Sequence, residues 1–302
     1  MSNEPLKTYS GFISIIGRPN VGKSTLFNAL LGQKRSITTF RPQTTRDVIL
    51  GVKTQGNAQW VFLDTPGLQY QSSGALNQHM NIAAWKSLQE IELILWVIEA
   101  CVWTEAEDWI LEKLKNRTQP VCVLLNKVDT LKEKSRLLPF LDSLQAKFPF
   151  KAFIPISAQE GIGLENIWEQ TRAFLPESPF YYENDEYIHR GPRFLASELL
   201  RETMMIRLQA ELPYATAIEI EAFEEDDRLL KIHAIIWVER EGQKEIVIGA
   251  QGAKLKEMGT YARLAMEKSF GKKVFLKLWV KVKNSWSNDA KALKSLGYWH
   301  AD

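Results

Sequence analysis

The chain has 302 residues, 45% of them hydrophobic and 25% charged, with a formal net charge of +2. This is enough chain to bury a core in one large or two smaller domains. The two cysteines, Cys101 and Cys122, exclude a disulfide scaffold and fit a reducing compartment. No apolar run approaches the ~18 residues of a membrane span, and the opening MSNEPLKTYS lacks the apolar core of a secretory signal.

The first predicted strand is the apolar run at residues 12–17. It leads into Gly17-Arg18-Pro19-Asn20-Val21-Gly22-Lys23-Ser24 and a helix-like stretch at 24–31. Glycine, four residues, then Gly-Lys-Ser between a strand and a helix is the phosphate-loop pattern. Its glycines let successive N–H groups close around phosphates at a helix N-terminus. Lys23 is expected to reach the β- and γ-phosphate oxygens, and Ser24 to place its hydroxyl on a magnesium ion. Thr25 continues the loop into the helix.

Residues 37–47, ITTFRPQTTRD, form a polar segment of the kind that switches between nucleotide states. Thr45 is the first choice for a further magnesium ligand there, Thr44 the alternative. Apolar runs at 48–52 and 60–63 follow. The second ends in Asp64-Thr65-Pro66-Gly67. An aspartate at a strand's carboxyl end lies near the phosphate site in such folds. Asp64 is expected to hold the magnesium through water, and the Gly67 amide to meet the γ-phosphate.

Further runs at 93–98, 121–125 and 153–156 alternate with helix-like stretches at 105–116 and 134–147. The alternation predicts an α/β fold with a mostly parallel sheet. Asn126-Lys127-Val128-Asp129 follows the fifth run. The Asp129 carboxylate can accept two hydrogen bonds from the Watson–Crick edge of guanine, which adenine cannot donate, so GTP is preferred to ATP. Ser157-Ala158 follows the sixth, and the Ala158 amide is expected to cap the base; a helix N-cap is an equal reading of that pair. Motif order and spacing together predict a GTP-binding switch protein.

Residues 174–192, with prolines at 176, 179 and 192 and an excess of acids, are expected to link two domains. Beyond them, 193–212 reads as a helix, and 217–223 and 229–238 as strands. An apolar stretch at 246–248 precedes Gly249-Ala250-Gln251-Gly252 and a helix to about residue 269. The last strand, 273–283, alternates: Val274, Leu276, Leu278, Val280 and Val282 on one face, Lys277, Lys281 and Lys283 on the other. Residues 244–294 carry 12 bases against 4 acids, so electrostatic attraction to nucleic acid is local to this stretch.

Gly249–Gly252 matches the G-x-x-G loop that clamps single-stranded nucleic acid in KH domains. With Ala250 and Gln251 uncharged, phosphate affinity is assigned to Lys254, Lys256, Arg263, Lys272 and Lys273. Ile246 and Ile248 serve either RNA contact or the core. Trp286 and Trp299 serve either base stacking or packing. The histidines at 79, 189, 233 and 300 show no metal-ligand spacing.

The stretches GRPNVGKSTLFNALLG, QTTRD, DTPG, NKVD and SA, with RFLASELLRE, VIGAQGAKLKEMG and VKVKNSWSNDAKALKSLGY after them, closely resemble the Era family of bacterial ribosome-assembly GTPases. The resemblance runs over nearly the whole chain. It implies a doubly wound GTPase domain (1–175), a linker (176–192) and a smaller α+β type II KH domain (193–302) that binds RNA. It implies GTP hydrolysis coupled to binding near the 3′ end of 16S ribosomal RNA during maturation of the 30S subunit. Family members are monomeric and cytoplasmic, with a fraction peripherally on the inner membrane. Three features stand out. Leu68, shared with the family, stands where other GTPases orient water with glutamine, and Asn20 occupies a position from which some relatives bind potassium. Residues 68–73 also lack the family's usual histidine and basic residues. A competing reading keeps the GTPase and makes the C-terminal domain a protein-interaction module.

Overall fold

The computed structural model describes residues 7–34, 36–39, 41, 43–71, 74–183 and 191–296. Part of the expected linker (184–190), His189, Trp299 and His300 lie outside them. The chain divides into two units: Met1–Ser36, Thr45–Ser72 and Met80–His189 form one, and Ile37–Thr44, Ser73–His79 and Arg190–Asp302 the other.

The first unit holds β1 (Tyr9–Ile16), α1 (Lys23–Leu31), β2 (Ile49–Gln55), β3 (Ala58–Asp64), α2 (Ala75–Lys86, whose first turn is counted with the second unit), β4 (Leu93–Glu99), α3 (Glu105–Leu114), β5 (Val121–Asn126), α4 (Leu137–Gln145), β6 (Ala152–Pro155) and α5 (Leu164–Arg172). The sheet order is β2-β3-β1-β4-β5-β6. All neighbours run parallel except β2, which is antiparallel to β3. The uninterrupted apolar runs have their cause in this order: β4 is buried from Leu93 to Ile98, and β5 from Val121 to Asn126, because both strands are covered on two faces. On one face Ile94, Trp96, Ile98, Val123 and Leu125 pack with Ile110 and Leu114 of α3 and Leu144 of α4. On the other, Trp168 of α5 meets Trp60 and Phe62 of β3 edge-on, at 5.1 and 5.7 Å between centroids.

Local chemistry sets several boundaries. α3 begins at a capping box, with the Thr104 N–H donating to Glu107 Oε2 at 2.9 Å and the Ala106 N–H to Thr104 Oγ1 at 3.3 Å. The helix expected over 134–147 is shorter: a 3-10 turn at Lys134–Arg136 precedes α4. Pro139 explains the delay, since a proline fits the first turn of a helix and breaks its interior. Residues after α5 return to the sheet. The Ser10 N–H donates to the Pro176 carbonyl at 3.2 Å, and the Ser178 N–H to the Thr8 carbonyl at 3.0 Å. Gln59 then accepts from the N–H groups of Tyr181 and Tyr182 at 2.9 and 3.1 Å.

The second unit holds α6 (Gly191–Arg207), β7 (Ala217–Glu225), β8 (Leu229–Val238), α7 (Glu241–Ile248), α8 (Ala253–Phe270), β9 (Lys273–Val282) and α9 (Ala290–Ser295). Its sheet order is β7-β8-β9, antiparallel then parallel. The helix-strand-strand-helix-helix-strand order is that of a type II KH domain. Its core joins Leu199, Leu200 and Met204 of α6, Met258, Ala262 and Met266 of α8, and Ile232, Ile236, Val274 and Val280 of the sheet. α6 ends before the expected residue 212, and the apolar stretch 246–248 is the last turn of α7. Cys122 is buried in β5, where burial pushes its thiol up to about 11, so it is a core side chain.

Trp60 illustrates how far the first core depends on paired polar atoms. Its indole N–H donates to Thr171 Oγ1 at 2.9 Å, and both residues are buried. Thr171→Val keeps the shape and orphans that donor. The expected cost is about 1–3 kcal/mol, read as a lowered urea midpoint by circular dichroism; an unchanged midpoint would show that the pairing is dispensable.

Candidate functional site

The phosphate loop connects β1 to α1 at the carboxyl edge of the sheet, where ligands bind in folds of this class. Gly22 adopts φ 98°, and a Cβ there would lie 2.2 Å from Asn126 Nδ2. No other residue fits that approach. Lys23 is buried, and its ammonium donates to the carbonyls of Gly17 and Arg18 at 3.0 and 2.9 Å. Burial lowers its pKa to about 8, against the pull of Asp64.

Asp64, Ser24 and Thr45 come together. The Ser24 and Thr45 hydroxyls are 2.8 Å apart, and Thr45 Oγ1 lies 3.5 Å from Asp64 Oδ2. Ser36 Oγ donates to the same oxygen at 2.9 Å; no motif pointed to it. Burial raises the Asp64 pKa, while Lys23 and the surrounding hydroxyls lower it. Asp64 Oδ1 is buried without a hydrogen-bond partner. Three oxygen-bearing side chains around an orphaned carboxylate oxygen, with a lysine alongside, fit a hard cation beside phosphates. Of the two candidate threonines, Thr45 is the one brought here. The Thr44 hydroxyl instead bonds the Arg41 carbonyl at 2.8 Å and lies 2.9 Å from the Thr39 hydroxyl. In the second unit, buried Arg201 pairs with Glu198 and donates to the Thr44 carbonyl, while Glu202 accepts from the Thr38 N–H at 3.1 Å.

The Asp64–Leu68 segment is fixed from below. Thr65 Oγ1 donates to the Ile15 carbonyl at 2.7 Å, and the Leu68 N–H to the Gly17 carbonyl at 3.0 Å. Pro66 lies between them, and a Cβ on Gly67 would meet Pro19 at 2.9 Å. The Leu68 side chain is fully buried among Ile16, Ala84 and Leu88. It is part of the core and contributes no group that could orient water.

At the base-binding end, Asn126 is nearly buried. Its Nδ2 donates to the Val21 carbonyl at 2.7 Å, and its Oδ1 accepts from the Ala158 N–H at 2.9 Å. The Ala158 amide, expected to cap a base, donates to Asn126 here. Ser157 Oγ accepts from the Glu160 N–H at 3.2 Å. Val128 and Asp129 belong to a 3-10 turn, and Asp129 is exposed and bonded to no other described residue. Asn20 is also exposed, with φ 64°. An ion-pair network escaped the sequence reading. Arg18 Nε donates to Glu107 at 2.7 Å, and Lys127 Nζ to Glu99 at 2.8 Å, with Arg18 Nη2 also 3.4 Å from Glu99. Charged residues far apart in sequence carry no spacing signal for such a contact.

In the second unit, Gly249–Gly252 turns the chain between α7 and α8, with Gln251 at φ 50°. Beside it is a groove of about 360 Å³ lined by Gly252, Leu255, Lys256, Arg263, Leu276 and Leu278. Lys254 does not line it. Ile248 packs against the core, and Ile246 is exposed. Trp286 is buried, its indole N–H donating to the Ala215 carbonyl at 3.1 Å. The expected basic residues do not all border the loop: Lys272 and Lys273 follow the far end of α8, an 18-residue helix that rises about 27 Å, while Lys273 shares Glu267 with the groove residue Arg263, at 3.9 and 3.0 Å. Lys272 is paired with Glu225 at 2.6 Å, and Arg263 with Glu267 at 3.0 Å. Among the described residues no group of His, Cys, Asp or Glu is arranged to hold a metal by itself.

The family described as "50S ribosome-binding GTPase" matches residues 12–127, and the KH domain family matches residues 211–287. GTPase Era of Glaesserella parasuis serovar 5 is 48% identical over 293 residues, covering 97% of this chain and 98% of the relative. GTPase Era of Pseudomonas aeruginosa (strain LESB58) is 47% identical, covering 97% and 96%. A crystal structure of Era with MgGDPNP and nucleotides 1506–1542 of 16S ribosomal RNA superposes with a TM-score of 0.93 at 36% identity, over 96% of this chain and 99% of that one. An Aquifex aeolicus Era variant bound to GDP·AlF4⁻ gives 0.92 at 36% identity, with the same coverage. Two matched domains in order, and near-half identity over almost the full length, place this chain in the Era family of GTPases.

Proposed function

We propose that this protein binds and hydrolyses GTP to time its hold on the 3′ end of 16S ribosomal RNA while the 30S subunit matures. The observation that carries this reading is the full-length likeness to an Era structure holding both MgGDPNP and that RNA segment. The G-x-x-G groove with Lys256 and Arg263 on its wall supports it. KH loops clamp the backbone, and specificity comes from bases read by stacking and hydrogen bonds.

In this reading Asp129 takes the guanine edge, and Asn126, held by Val21 and Ala158, keeps the base loop against the phosphate loop. The backbone amides from Gly17 to Thr25 and the Lys23 ammonium surround the phosphates. Contact with phosphate replaces the water that Lys23 lost on burial and favours its charged form. Ser24, Thr45 and Asp64 would hold a magnesium ion, which supplies positive charge beside the β- and γ-phosphates. Thr45 would follow the γ-phosphate and leave on its loss, carrying Thr44 and the segment clasped by Arg201 with it. The Gly67 amide reports the same event from the other side. Because Leu68 is in the core, attack by water relies on backbone groups and on charge from elsewhere, and intrinsic turnover is slow. A potassium ion at Asn20 would supply such charge. The family also carries a cytoplasmic location, a monomeric state and a peripheral inner-membrane fraction into this reading.

RNA crosslinking on small subunits, with GTP or GDP present, tests the function. A footprint at the 16S 3′ end that changes with nucleotide is expected; a footprint elsewhere would overturn it. Asp129→Asn should weaken GTP by at least about 100-fold, the scale on which a polar site rejects a mismatched edge, and admit xanthosine triphosphate. Isothermal titration with both nucleotides reads this out, and retained GTP affinity would remove Asp129 from the base site. Hydrolysis is expected to run at least about tenfold faster in potassium than in sodium chloride at equal ionic strength, a barrier change of about 1.4 kcal/mol. Equal rates in the two salts would remove the potassium ion.

A further inference from the structure

The sheet of the second unit has two chemically different faces. One is the core face. On the other, strand register sets Lys231, His233, Ile235 and Trp237 of β8 opposite Phe275, Lys277, Trp279 and Lys281 of β9. Phe275 is 51% exposed. Lys231, Lys277 and Lys281 are exposed, and His233, Trp237 and Trp279 half-buried.

The cations on this face sit on rings. Lys277 Nζ is 4.8 Å from the Trp279 ring centroid, and Lys281 and Lys283 are 5.9 and 5.7 Å from that of Trp237. His233 stands edge-on to Trp279 and Phe275, at 5.4 and 6.4 Å. None of Lys231, Lys277 and Lys281 forms an ion pair with a described carboxylate. Of the β7 acids in register with this face, Glu224 stands opposite Lys231, and Glu219 accepts from the Trp237 indole at 2.7 Å.

This combination selects among partners. The centre of a protein interface is depleted in lysine, and covering the Lys277 and Lys281 ammonium groups, which face His233 and Trp237 rather than acids, is costly. Single-stranded RNA satisfies both halves of the surface, with phosphates for the lysines and flat bases for the rings. Continuity with the groove adds a route. Leu276 and Leu278 line the groove, and the residues alternating with them, Phe275, Lys277 and Trp279, lie on the outer face. β9 is the edge strand of the sheet, so a strand leaving the groove can pass round that edge.

We propose that the Phe275–Lys281 side of the sheet is a second RNA-binding surface, which takes the single-stranded RNA that continues beyond the four nucleotides a G-x-x-G groove clamps. The proposal rests on the RNA-binding reading above.

The test uses the full chain with a non-hydrolysable GTP analogue and two RNA probes. One is the 37-nucleotide segment 1506–1542; the other is its tightest-binding six-nucleotide piece. The Lys277→Gln/Lys281→Gln double variant and Phe275→Ala alter exposed side chains. Each is expected to weaken the long probe about tenfold, on the scale of one lost stacking contact, and to leave the short probe unchanged. The double variant should also flatten the salt dependence of long-probe binding, by about 1.4 in log–log slope for two lost phosphate contacts. Lys256→Glu in the groove should weaken both probes. Unchanged long-probe affinity and slope would overturn the proposal and leave the face to a protein partner. Equal weakening of both probes by the sheet variants would overturn it as well, since the groove itself would then have been disturbed. Failure of the unaltered protein to bind either probe would instead remove the RNA-binding reading beneath it.

Discussion

One side-chain amide holds the nucleotide site of the first unit together. Asn126 leaves β5 with its donor on the Val21 carbonyl and its acceptor on the Ala158 N–H, so loops following β1, β5 and β6 are bonded through a single residue. The contact is almost fully buried, and each group left unpaired there would cost about 1–3 kcal/mol. It also dictates sequence nearby: Gly22 must lack a side chain because Asn126 occupies the space. The loops proposed above to take base and phosphate are thereby set in one rigid frame, which lowers the ordering cost of binding.

Around that frame, charge is arranged so that only part of it is available. Arg18 and Lys127 are bound to Glu99 and Glu107, so two of the three cations near the loop act as struts. Glu107 also closes the capping box of α3, tying the position of Arg18 to the start of that helix. Lys23 and Asp64 carry the buried charge at the phosphate end, and each shifts the other toward its ionised form. The hydroxyls of Ser36 and Thr45 on one carboxylate oxygen leave the other unsatisfied. A buried unpaired carboxylate oxygen is a cost that a cation at this place would relieve.

The elements were legible wherever burial imposed a pattern. β4 and β5 are covered on both faces and read as unbroken apolar runs; β9 is covered on one and reads as alternation. The phosphate loop was legible because its glycines and lysine are required by backbone geometry at fixed spacing. What escaped were contacts between residues distant in sequence. Nothing in the neighbourhood of Ser36, Glu99 or Glu107 marks them as partners of Asp64, Lys127 or Arg18. The bond from the Ala158 amide to Asn126, 32 positions away, is of the same kind. Spacing along the chain likewise does not show that α8, 18 residues long, carries Lys272 and Lys273 away from the G-x-x-G loop.

The basic stretch in the second unit shows how folding converts a charge count into a surface. Twelve bases against four acids at 244–294 overstate what a partner meets, because Lys244, Arg263 and Lys272 are bound to Glu241, Glu267 and Glu225. Pairs of this kind leave little net field. Among the lysines without such partners, Lys256 lies beside the loop and Lys277 and Lys281 on the outer strand face, on either side of the β9 edge. Alternation along β9 does this sorting: its even-numbered apolar residues face the helices, and the odd-numbered positions carry cations and rings outward. The same two-residue period that closes the core therefore also determines where the chain can meet a polyanion.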